Sequence, residues 1–246
     1  MVTGFDPWRI WPDTMHLLYL AVVPDVLGSI LCDLTDGNAA QREAELDNLW
    51  ESYRSWCEES GVVDRAARRL FSSATLHPKS RDYLQISQKI LSAAAARYAI
   101  FWLSSLLKHL MQQHPGDLFY ATSGLAGVCI SLANIETIML QGGRKHTDAE
   151  VEALKSSYMI FRSGYSKLNS AALDAGVCRW PMRPKQHYIE HFILDTLPLN
   201  GRYLHNFLSE DFIRRIKLVA SKSMPAFLSK HVCLKYSLQT CLRWRG

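Results

Sequence analysis

Apolar residues recur at intervals of three and four along most of the chain. Leu46, Leu49, Trp50, Tyr53, Trp56 and Cys57 form one such series, which predicts an amphipathic helix whose aromatic stripe packs into a core. Arg65–Phe71 predicts a shorter helical piece that stops before His77-Pro78. Ile90–Met111 predicts a long apolar helix ending before His114-Pro115-Gly116, and Leu118–Leu140 a second one closing at Gly142-Gly143. Thr147-Asp148-Ala149-Glu150 has the spacing of a capping box, in which the Thr147 hydroxyl takes an orphan amide and Glu150 reaches back. Val151, Leu154, Tyr158, Phe161, Tyr165 and Leu168 carry that helix forward. Strand candidates are short, lie near the ends and show no sustained alternation. The pattern therefore predicts a mainly α protein, with strand content below the roughly 20–25% of ordinary domains. It organises as an N-terminal unit 1–34, a helical block 41–175 and a C-terminal unit 181–246.

Composition changes this picture only in places. The 246 residues are 48% apolar and 21% charged, proportions of a folded globular chain with enough length to bury a core. The two apolar stretches raise the question of a membrane. However, Arg97, Ser104, Ser105 and Lys108 interrupt the first, and Ser123, Asn134 and Glu136 the second. A charge at mid-bilayer costs about 2.5–3.5 kcal/mol, so buried core helices are the expected arrangement, in a soluble protein without a membrane partner. Met1-Val-Thr-Gly-Phe-Asp-Pro is no secretory leader. The six cysteines, Cys32, Cys57, Cys129, Cys178, Cys233 and Cys241, are scattered without a CxxC pair. Free thiols in a reducing compartment, nuclear or cytoplasmic and not secreted, are the expectation. The net charge of +5 is uneven: Pro181–Gly246 carries 11 Lys and Arg against 4 Asp and Glu, and the remainder 17 against 19. That asymmetry fits either a polyanion-facing surface or a solvated basic face.

Three constellations hold residue types suited to chemistry. Asp13 and His16, three apart at a helix start, share a face. There a carboxylate can orient an imidazole, or Asp13 can serve as a helix cap behind Pro12. His187 and His191, at i and i+4, also face the same way, and His187-Tyr-Ile-Glu190-His191 matches the H-x-x-E-H pattern of inverted zinc peptidases. Such an enzyme needs a further acidic ligand downstream, where the chain offers Asp195, Glu210 and Asp211. Ser209-Glu210-Asp211 reads as a capped first turn with carboxylates that suit the helix dipole, over a buried stripe of Phe212, Ile216 and Val219. Arg214, Arg215, Lys217 and Lys222 follow, and carboxylates beside a basic patch also fit a divalent metal held against a phosphodiester.

Taken in order, these strings resemble a known family. Asp13-Thr-Met-His16, followed by Leu20, Val22, Asp25, Gly28 and Ser29, resembles the D-x-x-H signature of eukaryotic cut-and-paste DDE transposases, CACTA-like and related branches. Arg183-Pro-Lys185-Gln-His187 with His191, then Asn200-Gly-Arg202 and Glu210-Asp211-Phe212 with Arg215, look like the segment where such a chain returns to its core. The block between, with Leu49-Trp50, Tyr53 and Trp56-Cys57, is similar to that family's helical insertion.

The resemblance implies a helical insertion attached to a remnant of an RNase H-like α/β core. In a complete transposase three carboxylates there hold two Mg²⁺ ions for phosphodiester transfer. Glu210 matches the third carboxylate by position, with Asp211 and Glu190 as substitutes, and Asp13 with His16 matches an accessory pair. Lys185, His187, His191, Arg214, Arg215, Lys217 and Lys222 are the matching nucleic-acid-facing residues. The first two catalytic aspartates belong upstream of Asp13, where Asp6 is the sole carboxylate. The expectation is thus a catalytically incomplete, transposase-derived chain. It holds no cofactor by itself, binds DNA without sequence preference, and associates as a homo-oligomer or with a separate N-terminal core. A helical interaction protein and an H-x-x-E-H zinc hydrolase are the rival readings. The transposase reading also requires Asp13 and His16 to lie beside the segment His187–Asp211.

Overall fold

The computed structural model describes residues 13–79, 81–116, 124–222 and 225–244; of these, the side chains of 207–211, 214, 215, 239, 240 and 242–244 are not described. Helix accounts for 71% of the chain, and the described residues contain no strand. A single isolated bridge, Lys145 with Leu199, is the sole β pairing among them. The chain divides into two compact units, residues 1–205 and 206–246. The division falls inside the segment expected as 181–246, whose first part belongs to the larger unit.

In the described part of the first unit a π-helical stretch, Met15–Val22, runs into α1, Val23–Leu34. Together they form an apolar helix long enough to cross a membrane, yet 83% of its most apolar window is buried inside the protein. It is a core helix that packs against α4 (Ala93–Gln113) and α5 (Leu125–Gln141). The N-terminal segment and the helical block thus share one core.

α2 (Ala39–Glu59) starts at Asn38 with a capping box to Gln41, and it buries Leu46, Tyr53 and Cys57. Its stripe meets the rest of the unit through an aromatic cluster. Tyr53 and Trp102 are edge-on at 5.2 Å, and Phe71 lies 5.5 Å from Tyr53 and 5.7 Å from Trp102. The expected helix at Arg65–Phe71 is instead a single 3-10 turn, Arg68–Leu70, followed by α3, Ser73–Leu76. Packing of Leu70 and Phe71 into the core fixes this segment, and backbone bonds outside a helix serve it, such as Ala67 N–H to Ile90 O at 3.0 Å.

α4 and α5 correspond to the two apolar helices expected from sequence, the 118–123 part of the second lying outside the described residues, and they pack on each other. Two of the three charges that interrupt them are partners: Arg97 Nε donates to Glu136 Oε1 at 2.6 Å. Tyr19 donates to the other Glu136 oxygen at 2.6 Å, so one buried carboxylate ties the π-helical stretch, α4 and α5 together. Burial pushes this carboxyl above its ordinary range, and the Tyr19 and Arg97 bonds oppose that shift.

α6 (Asp148–Asp174) has the predicted capping box, with Thr147 N–H to Glu150 Oε2 at 2.7 Å and Glu150 N–H to Thr147 Oγ1 at 3.3 Å. After α6 the chain turns through Trp180, a buried residue with φ of 57°. Three bonds hold it in that left-handed conformation. Its amide donates to Ser29 Oγ, its indole to Asp33 Oδ2, and its carbonyl accepts from Asn169. α7 (Pro184–Leu194) then packs on α6 and on the π-helical stretch.

The second unit is a helical hairpin, α8 (Phe207–Ala220) and α9 (Leu228–Trp244), joined through a 3-10 turn at Pro225–Phe227. Phe212 meets Tyr236 edge-on at 5.2 Å, and Lys235 Nζ donates to the Lys222 carbonyl at 3.2 Å. The predicted buried stripe of α8 is only partly buried: Val219 is, whereas Phe212 is 47% exposed. The helix also starts at Phe207, so Ser209 lies in its first turn and not at its cap.

Candidate functional site

Asp13 stands one residue before the helical backbone begins, where amides lack intrahelical acceptors. Its Oδ1 accepts from Met15 N–H at 2.9 Å, and its Oδ2 lies 2.6 Å from His16 Nδ1. The two roles considered for Asp13, cap and imidazole orienter, are therefore both realised, one on each oxygen. The contact orients the His16 ring through Nδ1.

The same helix start meets the return segment. Thr14 N–H donates to Leu204 O at 2.9 Å, and Thr14 Oγ1 to Gly201 O. Lys185 Nζ donates to His16 O at 3.3 Å. Residues some 170 to 190 positions apart therefore meet, and Asp13 and His16 lie beside α7 and the Asn200-Gly-Arg202 turn. The part of that expectation concerning Glu210 and Asp211 falls on side chains outside those described, in the second unit.

Asn200-Gly201-Arg202 closes the end of α5. Asn200 Nδ2 reaches the carbonyls of Met139 and Gly143 at 2.9 Å and of Gly142 at 3.2 Å, and Arg202 Nη1 reaches Leu140 O at 2.8 Å. Met139 and Leu140 carry two of the carbonyls a helix leaves unsatisfied at its C-terminus, and Gly142 and Gly143 follow it. Gly201 is required by space, since a Cβ there would stand 2.0 Å from the ring of buried Phe192.

On α7, His187 and His191 do face each other, with Nε2 atoms 3.1 Å apart and ring centroids 4.6 Å apart. Asp195 Oδ2 lies 2.8 Å from His191 Nδ1. Glu190 is engaged by Arg162 at 2.8 Å and lies 3.9 Å from His187 Nδ1. Among the described residues no three His, Cys, Asp or Glu side chains gather into a group that could hold a metal. The carboxylates described thus do not form a two-metal set for Mg²⁺. Of the basic residues singled out, Lys185 and Lys217 are exposed, as is Lys222. The side chains of Glu210, Asp211, Arg214 and Arg215 lie outside those described, although the backbone places all four on α8.

Sequence reasoning did not identify the polar network under α7. Asp25, which is buried, accepts from Gln186 Nε2 at 2.9 Å and lies 3.5 Å from Arg183 Nη1; Gln186 also bonds Tyr165. Burial pushes the Asp25 carboxyl up to about 6, against the pull of Arg183 and Gln186. The available signal was a lone carboxylate in an otherwise apolar run, Leu17–Leu31. Nearby, Arg179 bridges Asp33 at 2.6 Å and Asp36 at 2.8 Å.

Compared with models of known families, with curated proteins and with solved structures, the chain matches none.

Proposed function

We propose that this is a transposase-derived chain whose working chemistry is DNA binding without sequence preference, through the basic second unit. One observation carries the reading. Residues 206–246 hold eight Lys and Arg against two acids, whereas residues 1–205 hold twenty against twenty-one. Dividing the chain where its packing divides it concentrates the whole positive excess in the smaller unit. Lysines and arginines placed against phosphates supply affinity and no sequence information.

In this reading the first unit corresponds to the helical insertion with a remnant of an RNase H-like core. Asp13 and His16 are the accessory pair, and Glu210, with Asp211 or Glu190 in its place, the third carboxylate. The meeting of the Asp13–His16 dyad with α7 supports that correspondence. Mg²⁺ belongs only to a complete transposase, because one or two carboxylates cannot hold two ions in register. DNA is the partner, in the nucleus or cytoplasm, with self-association or a separate catalytic core completing any assembly.

The test is a gel-shift series with the full chain at low salt. Arg214→Ala/Arg215→Ala/Lys217→Ala should weaken binding at least about tenfold, since each phosphate contact adds to a common electrostatic term. Unchanged affinity would remove α8 as the binding surface. No Mg²⁺-dependent cleavage is expected, and a product abolished by Glu210→Gln would overturn the incomplete-site reading.

The helical interaction protein stays as a second reading because Phe227, Leu234 and Leu238 are 52–62% exposed on the hairpin. If Leu234→Asp/Leu238→Asp converts an oligomer to a monomer while DNA affinity is nil, that reading prevails.

A further inference from the structure

Most arginines of the first unit are matched to carboxylates: Arg97 to Glu136, Arg162 to Glu190, Arg179 to Asp33 and Asp36, Arg183 to Asp25. Four exposed cations around the α5–α6 joint differ. Arg144, Lys145, Lys185 and Arg202 form no ion pair among the described residues. The chain pairing of the joint brings them to one region. Asn200 N–H donates to Arg144 O at 3.0 Å, His146 N–H to Pro198 O at 2.8 Å, and Lys145 bridges Leu199. That sets Arg144 and Lys145 beside the Asn200-Gly-Arg202 turn. Thr14 binds the same turn at Gly201 and Leu204, and Lys185 bonds the carbonyl of His16 two residues on. A continuous run of contacts thus links all four cations to the start of the first helix.

The buried acids near them have closer partners, although Arg202 also draws on Glu136 and Lys185 on Asp25. Asp13 is bonded to His16, Glu150 to the Thr147 cap, and Glu136 is buried under Arg97 and Tyr19. Asp148, in the first turn of α6, is the nearest exposed carboxylate in sequence. Two of the cations also have their reach fixed by the backbone, Arg202 on Leu140 O and Lys185 on His16 O. Four exposed cations gathered at one joint, two of them held in place by backbone carbonyls, form a surface for a polyanion. Their spread over separate turns suits a row of phosphates better than one small anion.

We infer that Arg144, Lys145, Lys185 and Arg202 form a second phosphate-backbone contact for DNA, on the first unit. The inference rests on the DNA-binding reading above and extends it to residues outside the basic hairpin.

The test uses the full chain and a fluorescent duplex of arbitrary sequence, about 30 base pairs long, titrated by anisotropy between about 20 and 200 mM salt. Arg202 is left in place because it also closes α5. Arg144→Ala/Lys145→Ala/Lys185→Ala should lose at least about tenfold in affinity at low salt. The log–log salt slope should fall by about 2–3, near 0.9 per lost contact. The charge-keeping Arg144→Lys/Lys145→Arg/Lys185→Arg variant should bind like the parent, which separates charge from folding. If the alanine variant binds with unchanged affinity and slope while the α8 triple variant is weakened, the inference fails and the DNA reading stands. If the joint variant is weakened and the α8 variant is not, the joint is the contact and α8 is not. If the parent chain does not bind at low salt, both fall.

Discussion

The two units of this protein handle polar groups in opposite ways. In the first, buried polar side chains join or close helices at its centre: Glu136 ties three helical segments, Asp25 joins α1 to α7, and Asn200 closes α5. In the second, a 41-residue hairpin leaves Phe212, Ile213, Leu218, Phe227, Leu228, Leu234 and Leu238 between 43% and 62% exposed, with eight cations against two acids. A unit that small buries a low fraction of its surface by itself. The comparison teaches where stability and function separate. Substitutions of the buried groups of the first unit should act through folding, and those of exposed cations in either unit through binding.

The sharpest way to break that comparison is a matched pair of truncations. Trp102 is 2% exposed and packed against Tyr53 and Phe71. Trp102→Ala should destabilise by about 3–5 kcal/mol. Leu238 is 62% exposed, and Leu238→Ala should change stability by less than about 0.5 kcal/mol. Chemical denaturation of both variants measures this, and similar losses would erase the distinction.

Gly201→Ala tests the joint. The added methyl meets the Phe192 ring in a filled core, and overpacking of this kind costs about 1–3 kcal/mol. The upper end is expected, because Phe192 is 1% exposed and has little room to move. A thermal midpoint equal to that of the parent would show that the joint relaxes freely.

A smaller effect comes from pH. Asp25 is pushed up to about 6 from an ordinary value of 3.8, so the fold favours its protonated form. That contribution is fully present below the unfolded value and is lost as pH rises through about 6. Asp25→Asn cannot ionise. Its stability relative to the parent should therefore improve by about 1–3 kcal/mol between pH 4 and pH 7, at 1.36 kcal/mol per unit. A difference that is flat with pH would mean Asp25 is ionised throughout, paired with Arg183.

Much of the first unit was legible because its helices carry their own signals: three-four periodicity from Leu46 to Leu168, the Thr147–Glu150 box, and stops at His114-Pro115 and Gly142-Gly143. Arg97 and Glu136, which argued against membrane spans as isolated charges, are one ion pair, but nothing in either local stretch names the other. Arg65–Phe71 was misread as a helix because its apolar residues are placed by contacts with α2 and α4, which periodicity does not encode. At the site, the i,i+3 spacing of Asp13 and His16 and the i,i+4 spacing of His187 and His191 gave the two local pairs directly. What joins them to Asn200-Gly-Arg202 is long-range: Thr14 bonding Gly201 and Leu204, and Asn200 bonding three carbonyls. The cations at Arg144 and Lys145 were missed because they matter only through the strand-like pairing of that turn with residues 198–200.

The central proposal is that exposed cations give this chain its affinity for DNA. The salt dependence of full-chain binding to duplex DNA tests it most directly. With at least about four phosphate contacts, the log–log slope of affinity against salt should be steeper than about −3, and unrelated duplex sequences should compete equally. A slope near zero, or no binding at about 20 mM salt where counterion release is most favourable, would contradict the account.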